Sequence, residues 1–171
     1  GLCSSQFVWD NVSFKSVDKS ERSAAGHSVK RKKVNPKIAD LDFLESDIRP
    51  MALPNANGGD MYFYPSFILM NFDRPRIISY ADLDVTYEDY QFMEEEKIPK
   101  DAEQVGTTWF KVNKNGTPDK RFKGNYEIPV MCYGQIALKT DSGMDEEYVL
   151  SNASAAEAFA TELLSFVKLH R

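Results

Sequence analysis

Hydrophobic and polar residues alternate along residues 76–87, and this is the pattern of a half-buried β-strand. Over residues 76–87 the alternation places Leu83, Val85 and Tyr87 on one face and Asp82, Asp84 and Thr86 on the other. A period of two predicts an antiparallel strand with one buried face. Residues 61–70 are aromatic and aliphatic and predict one buried strand, or two pieces bent at Pro65. Further strands are predicted at residues 105–112, 128–140 and 148–150.

Short turn signals separate these predicted strands. Asn115-Gly116 and Ser142-Gly143 are dipeptides typical of tight turns. No helical pattern lies between the strands, and parallel pairing would require such crossovers. The pattern therefore predicts an antiparallel meander.

The end of the chain has a different period. Ser154 and Glu157 form a capping-box pattern, in which each side chain satisfies a backbone amide of the first helical turn. An amphipathic helix is predicted at about residues 154–169, and its apolar stripe needs the sheet as a partner. The stripe consists of Ala156, Phe159, Ala160, Leu163, Phe166 and Val167.

The first 59 residues are less regular. Residues 4–37 are rich in Ser and Lys, which favours an extended or partly mobile segment. Their basic run, Lys30 to Lys33, predicts an exposed edge strand or arm, and the alternatives are a contact with phosphate and a localisation signal. Residues 38–48 are compatible with a short helix that ends before Pro50. We expect residues 1–59 to be an N-terminal segment, partly mobile or packed on the core, and residues 60–171 to form the domain.

Two stretches of this predicted domain resemble pleckstrin-homology-like domains, particularly their GRAM and bacterial branches. The first is the step Ile-Ser-Tyr-Ala-Asp-Leu at residues 78–83, and the second is the closing strand at residues 148–152 with the helix that follows it. The helix matches at Ala155, Ala156, Phe159 and Leu163. The resemblance implies a mainly β (α+β) fold, a bent antiparallel sheet or barrel capped by the C-terminal helix. It also implies a binding module and permits recognition of lipid headgroups.

The segment at residues 107–129 is longer and more basic than such a domain requires. From Trp109 to Asn125 it is similar to W-x-x-V-N-K-x-G-x-P-D-x-R-F-x-x-N segments of bacterial proteins of unassigned function. That likeness implies a family and no activity.

The same segment carries the candidate site, which we name the aromatic hairpin (residues 107–125). Five basic residues against Asp119 give it a local charge of +4. Aromatic and basic side chains on one exposed feature are typical of partner hot spots and of nucleic-acid stacking surfaces. In the alternative interpretation the aromatic rings dock on the sheet, the lysines are solvated, and Asp119 pairs with Arg121 or caps the turn. The candidate residues are Trp109, Phe110, Lys111, Lys114, Lys120, Arg121, Phe122 and Lys123.

An acidic belt at residues 82–103 is the counterpart of this hairpin. Nine acids and two lysines give it a local charge of −7. Its nearness to the basic hairpin indicates complementarity within the molecule or head-to-tail self-association, and the alternative is a solvated loop. The acids lack the spacing of a calcium loop, so no metal site is expected.

The patterns of known catalytic sites are weak in this chain. Asp84 with Glu95, Glu96 and Lys97 fits a loose nuclease spacing, in which two carboxylates hold a divalent cation. His27 and His170 lie in the N-terminal segment and at the C-terminus, neither of which favours a buried general base. Cys3 and Cys132 form no metal or redox motif, and no phosphate-binding glycine loop is present. We predict no catalytic activity and no cofactor.

Composition narrows the classes of ligand and the cellular locations that we expect for this protein. The 171 residues carry a net charge of −5, which weighs against a protein whose main ligand is nucleic acid. No apolar run is long enough to cross a bilayer and the first residues lack a signal-peptide pattern, so a cytoplasmic location is expected. The leading hypothesis is a non-catalytic module that binds a protein partner, or a second copy of itself, through residues 107–125 or an exposed sheet edge. The alternatives are binding of anionic lipid through residues 107–125 and a metal-dependent nuclease.

Overall fold

The computed structural model of the chain describes residues 2–11, 31–56 and 58–171, so Lys30 and His27 lie outside the described residues. These residues form β-strands, two short 3-10 turns at Leu2–Ser4 and Tyr80–Asp82, and one helix, α1, at Ala153–His170. The strands are β1 (Val8–Asn11), β2 (Arg31–Val34), β3 (Lys37–Ile38), β4 (Met51–Leu53), β5 (Asp60–Phe63), β6 (Phe67–Asn71), β7 (Arg76–Ser79), β8 (Asp84–Met93), β9 (Glu103–Trp109), β10 (Glu127–Lys139) and β11 (Asp145–Leu150).

The strands form two antiparallel sheets. The six-stranded first sheet has the order β2-β1-β11-β10-β8, and β9 pairs with β10 beside this path. The five-stranded second sheet has the order β3-β4-β5-β6-β7. The prediction of a mainly β fold with a C-terminal helix is confirmed.

The core contains the inward-facing residues of both sheets and one face of α1. Ile136 and Tyr148 lie opposite each other in the first sheet, and Met61 and Ile68 belong to the second sheet. All four side chains are fully buried. Burial of this apolar surface is the main favourable term in the stability of the fold.

The helix covers the core with much of the predicted stripe. Ala156, Ala160, Leu163 and Val167 are buried, whereas Phe166 is 40% exposed. The predicted capping box is wrong, because the N-cap is Asn152, two residues before Ser154. Asn152 has extended backbone angles, and its side-chain oxygen accepts a hydrogen bond from the Ala155 amide, which is the geometry of an N-cap.

Two other local predictions are also wrong. Residues 38–48 form no helix, because Leu41 and Leu44 close a tight turn and pack on the outer face of the second sheet. The single strand predicted at residues 76–87 is two strands in different sheets. The 3-10 turn at Tyr80–Asp82 joins them, and the Tyr80 hydroxyl fixes this turn by donating to the Tyr64 carbonyl at 2.7 Å.

The segment before residue 60 contributes strands to both sheets. β1 lies between β2 and β11 in the first sheet, and β4 pairs with β5 in the second. β2 is an edge strand in which Lys32 and Lys33 are exposed. Within the part of the chain that the structure describes, no helix is both long and apolar enough to cross a membrane.

One buried and two half-buried carboxyl groups make the stability of this fold depend on pH. Burial raises the pKa of Asp10, although the Ala56 amide and Lys32 act in the opposite direction. Burial and then the charge of Asp10 raise the pKa of Glu146, and burial raises that of Glu147. The folded protein therefore binds these protons more tightly than the unfolded chain does. Their contribution to the free energy of unfolding increases as pH falls through the raised pKa values towards the ordinary ones, 3.8 for Asp and 4.5 for Glu.

We expect Asp10→Asn to reduce this pH dependence. Urea denaturation from about pH 7 to about pH 5 should show a smaller increase in the free energy of unfolding for the variant than for the unsubstituted protein. Asp73→Asn, which changes an exposed carboxylate, is the matched control and should leave the increase unaltered. An equal increase in Asp10→Asn and the unsubstituted protein would contradict the expectation.

Candidate functional site

The aromatic hairpin begins where the pairing of β9 with β10 ends. The last strand pair joins Trp109 to Glu127. Beyond it the Phe110 amide donates to the Tyr126 carbonyl at 2.9 Å, and Asn125 continues the pairing with its side chain. The Asn125 amide group accepts from the Lys111 amide at 2.9 Å and donates to the Lys111 carbonyl at 2.8 Å. Hydrogen bonds across the base of the hairpin therefore stabilise it in the way that they stabilise an antiparallel strand pair.

The first turn of the hairpin is stabilised by asparagine side chains. The Asn113 amide donates to the Thr117 carbonyl at 2.8 Å, and the Asn113 side chain donates to the Pro118 carbonyl at 3.1 Å. Gly116 has a φ of 80°, which is the left-handed conformation that glycine tolerates best. The turn predicted at Asn115-Gly116 is confirmed.

Asp119 organises the second turn. Its carboxylate accepts hydrogen bonds from the Arg121 amide at 3.0 Å and from the Arg121 guanidinium at 2.9 and 2.7 Å. These hydrogen bonds lower the pKa of Asp119 to about 2. The guanidinium is paired and yet its side chain is 86% exposed, so its remaining donors face solvent.

The aromatic rings pack on one another rather than on the sheets. Phe110 and Tyr126 are stacked with centroids 5.1 Å apart and planes 10° apart, and Phe122 lies 5.8 Å from Phe110. The Lys111 ammonium lies 4.6 Å from the centroid of Phe110 and 5.9 Å from that of Phe122. Phe122 and Tyr126 are 44% and 48% exposed. Three rings and one ammonium thus form a small exposed cluster.

The other predicted site residues surround this cluster to different degrees. Trp109 is half-buried on β9 and outside the ring stack. Lys114, Lys120 and Lys123 are exposed. Within the described part of the chain, the ion pair of Asp119 with Arg121 is the one that hairpin residues form, and the lysines take part in none.

Tyr126 was not among the predicted site residues. Its ring completes the stack, and its hydroxyl donates to the Glu95 carboxylate at 3.2 Å. That hydrogen bond joins the hairpin to the acidic belt within one molecule. The sequence signal was its position beside Asn125 and opposite Phe110 across the predicted turn.

The residues with a nuclease spacing are not brought together. Asp84 begins β8 and pairs with Arg171 at 2.8 Å, whereas Glu95 follows the other end of that strand. Ten residues lie between them, nine of them in β8, and an extended strand of that length spans about 30 Å, which is too far for two carboxylates to share one cation. Among the described residues, no cluster of three or more His, Cys, Asp or Glu side chains could hold a metal ion.

Cys132 is a free, half-buried thiol on β10. Burial is the main cause that raises its pKa, and the charges of Asp89 and Glu103 act in the same direction. A raised pKa disfavours the reactive thiolate, so this cysteine has the properties of a packing residue.

The comparisons with known proteins identify no relative. No family model matches the chain, and no curated protein or solved structure is significantly similar to it.

Proposed function

We propose that this protein is a non-catalytic binding module that engages a protein partner through the aromatic hairpin. The observation that supports this proposal is the exposed cluster of Phe110, Phe122 and Tyr126 with Lys111. Aromatic side chains and Arg are enriched among the residues that dominate binding energy in interfaces. The local charge of +4 favours a partner surface that is acidic.

The rigidity of the hairpin supports the proposal. Backbone and side-chain hydrogen bonds of Asn113, Asp119 and Asn125 hold both turns and the base. A surface that is already ordered loses little conformational entropy when it binds, so more of the contact energy appears as affinity. A long solvated loop would need no such internal bonding.

The resemblance to pleckstrin-homology-like domains is consistent with a binding role, and it remains a prediction together with the cytoplasmic location. The two antiparallel sheets and the C-terminal helix agree with it only at the level of fold class. Function resides in sites rather than in folds, so the hairpin contacts carry the proposal.

We expect Phe122→Ser to weaken partner binding about tenfold or more, because the exposed ring combines contact area with low ordering cost. The test is affinity capture with the immobilised protein, followed by titration of each captured protein after purification. Phe43→Ser is the matched control, because Phe43 is 57% exposed and lies in the turn before β4. Binding that is lost in the control, or that survives in Phe122→Ser, would count against the hairpin as the binding surface.

Anionic lipid is a second candidate, and the exposed lysines around Phe122 favour it. Four lysines of the hairpin lack a carboxylate partner among the described residues, and each could contribute about 1 kcal/mol near an anionic surface. Co-sedimentation with vesicles of phosphatidylcholine and phosphatidylserine, about four to one, tests it at low salt. Sedimentation that Phe122→Ser and added salt both abolish would support lipid as the ligand, and its absence would exclude this candidate.

A further inference from the structure

Arg31 of β2 is held in an aromatic and acidic box on the outer face of the first sheet. Its guanidinium carbon lies 4.4 Å from the ring centroid of Trp9 and 4.2 Å from that of Phe92. One guanidinium nitrogen donates to both carboxylate oxygens of Glu94, at 2.7 and 2.8 Å. We name Trp9, Phe92, Glu94 and Tyr133 the arginine box.

The arginine box is organised without help from β2. The Glu94 carboxylate accepts a hydrogen bond from the Tyr133 hydroxyl at 2.7 Å and another from the Glu96 amide at 3.0 Å. Trp9, Phe92 and Tyr133 lie on β1, β8 and β10, which are connected through β11 in one sheet. These contacts do not involve β2, so we expect them to position the receptor groups when the β2 edge is vacant.

The buried contacts that keep β2 on the sheet are concentrated at its two ends. β2 has four residues and, within the described residues, pairs only with β1. Arg31 fills the arginine box with 11% of its side chain exposed, and Val34 is buried in the core. Between them Lys32 is exposed, and the Lys33 ammonium lies over the ring of Phe7 at 3.5 Å. Such a strand can separate from its neighbour without unfolding the rest of the sheet.

Recognition explains the box better than stability does. A buried ion pair contributes little net stability, because desolvation offsets most of the Coulombic gain. Pairing an extended segment with a sheet edge, while a pocket reads one of its side chains, is a common mode of peptide recognition. Planar stacking and the carboxylate match the shape and charge of a guanidinium.

We propose that the β1 edge and the arginine box form a binding site for an extended, arginine-bearing basic segment of a partner protein, and that Arg31–Val34 occupies this site in cis. The site is separate from the aromatic hairpin and does not rest on the function proposed for it. The acidic belt supports a basic occupant, because Glu96 lies 3.6 Å from Arg31 and the belt has a charge of −7.

Occupancy in cis lowers the apparent affinity for any other segment. The apparent dissociation constant equals the intrinsic one divided by the fraction of molecules with an open site. Arg31→Ala removes the main anchor of the occupant and keeps every side chain of the box. The Glu94 carboxylate then lacks its cation while β2 covers it, and this cost also favours the open site, so the substitution should raise that fraction. We expect this variant to bind a basic peptide about tenfold more tightly than the unsubstituted protein.

The direct test uses a fluorescein-labelled peptide with the sequence of residues 28–36, SVKRKKVNP, and a control peptide in which its arginine is alanine. Fluorescence anisotropy should show tight binding of the arginine peptide to Arg31→Ala, weaker binding to the unsubstituted protein, and little binding of the control peptide. Adding Glu94→Gln to Arg31→Ala should abolish the preference for arginine. Equal binding of the two peptides by folded Arg31→Ala would overturn the proposal.

Hydrogen exchange on the unsubstituted protein tests the proposal without any substitution, so it also decides the matter if Arg31→Ala fails to fold. Amides of Lys32 to Val34 should exchange faster than those of β10 and β11, and an excess of the arginine peptide should change their protection. If the β2 amides exchange only when the whole protein unfolds, β2 is not a segment that a partner can displace, and the proposal is wrong. Dimers that form as the protein concentration rises, and that are weaker in Arg31→Ala, would show that the occupant is a second copy of this chain. That result would contradict the proposal of a different protein as the partner.

Discussion

Glu94→Ala is expected to lower the free energy of unfolding by about 3–5 kcal/mol, because it leaves a buried cation and a buried hydroxyl without their acceptor. Glu94 is 2% exposed, and its carboxylate accepts from Arg31 and from Tyr133, which is fully buried. The glutamate also fixes the chain after β8, since its carboxylate accepts from the Glu96 amide. Urea denaturation followed by circular dichroism measures the loss.

Glu95→Ala is the matched control for this experiment. Glu95 is the exposed neighbour, and its carboxylate accepts one hydrogen bond, from the Tyr126 hydroxyl at 3.2 Å. Its replacement should change the free energy of unfolding by no more than about 0.5 kcal/mol. A similar decrease in the free energy of unfolding of both variants would show that the effect comes from the charge of the acidic belt and not from the buried contacts of Glu94.

The double variant Arg31→Leu with Glu94→Leu refines the interpretation. Replacing both members of a buried ion pair by apolar side chains is often neutral for stability. We expect the double variant to recover much of the loss, although Tyr133 still lacks its acceptor. In Glu94→Ala, separation of β2 from β1 would let Arg31 reach solvent, and this would reduce the cost of its unpaired charge. A decrease in the free energy of unfolding near the lower end, about 3 kcal/mol, should therefore be accompanied by fast hydrogen exchange of the β2 amides.

The elements that could be predicted from the sequence are those whose cause is local. The apolar stripe of α1 recurs every three to four residues, and Gly116 and Gly143 adopt the positive φ angles that their turns require. The helix predicted at residues 38–48 was wrong because the same apolar residues close a turn that covers Tyr62 and Leu69. Nothing in the local pattern distinguishes a helix face from a cover over a sheet.

The contacts of the functional residues also divide into local ones, which the sequence predicts, and long-range ones, which it does not. Aromatic and basic residues of the hairpin are neighbours in sequence, so their clustering could be anticipated, and so could the pairing of Asp119 with Arg121. Arg31 and Glu94 are 63 positions apart, and their contact depends on the order of the strands in the first sheet. Charge counts made separately for the basic run and the acidic belt therefore missed the buried ion pair of Arg31 with Glu94 that joins them.

Gly134→Ala is expected to lower the free energy of unfolding by about 3 kcal/mol, because α1 crosses β10 at this glycine without space for a side chain. A Cβ atom at Gly134 would lie 2.4 Å from the Cβ of Ala156 and 3.1 Å from the Cα of Ala153. Both neighbours belong to the helix, and the Ala153 atom is backbone. Relief therefore requires a shift of α1 away from the core that Ala160, Leu163 and Val167 cover.

Gly106→Ala separates this steric effect from the general effect of replacing a glycine. Gly106 lies on β9, and a Cβ there would have no neighbour within 4 Å. Its replacement should leave stability unchanged or raise it by less than about 1 kcal/mol, since alanine restricts the unfolded chain. Adding Ala156→Gly to Gly134→Ala should restore part of the loss despite the cost of about 1 kcal/mol for a helical glycine. Equal stability of Gly134→Ala and Gly106→Ala would show that α1 does not approach β10 so closely, and strict additivity in the double variant would place the strain elsewhere.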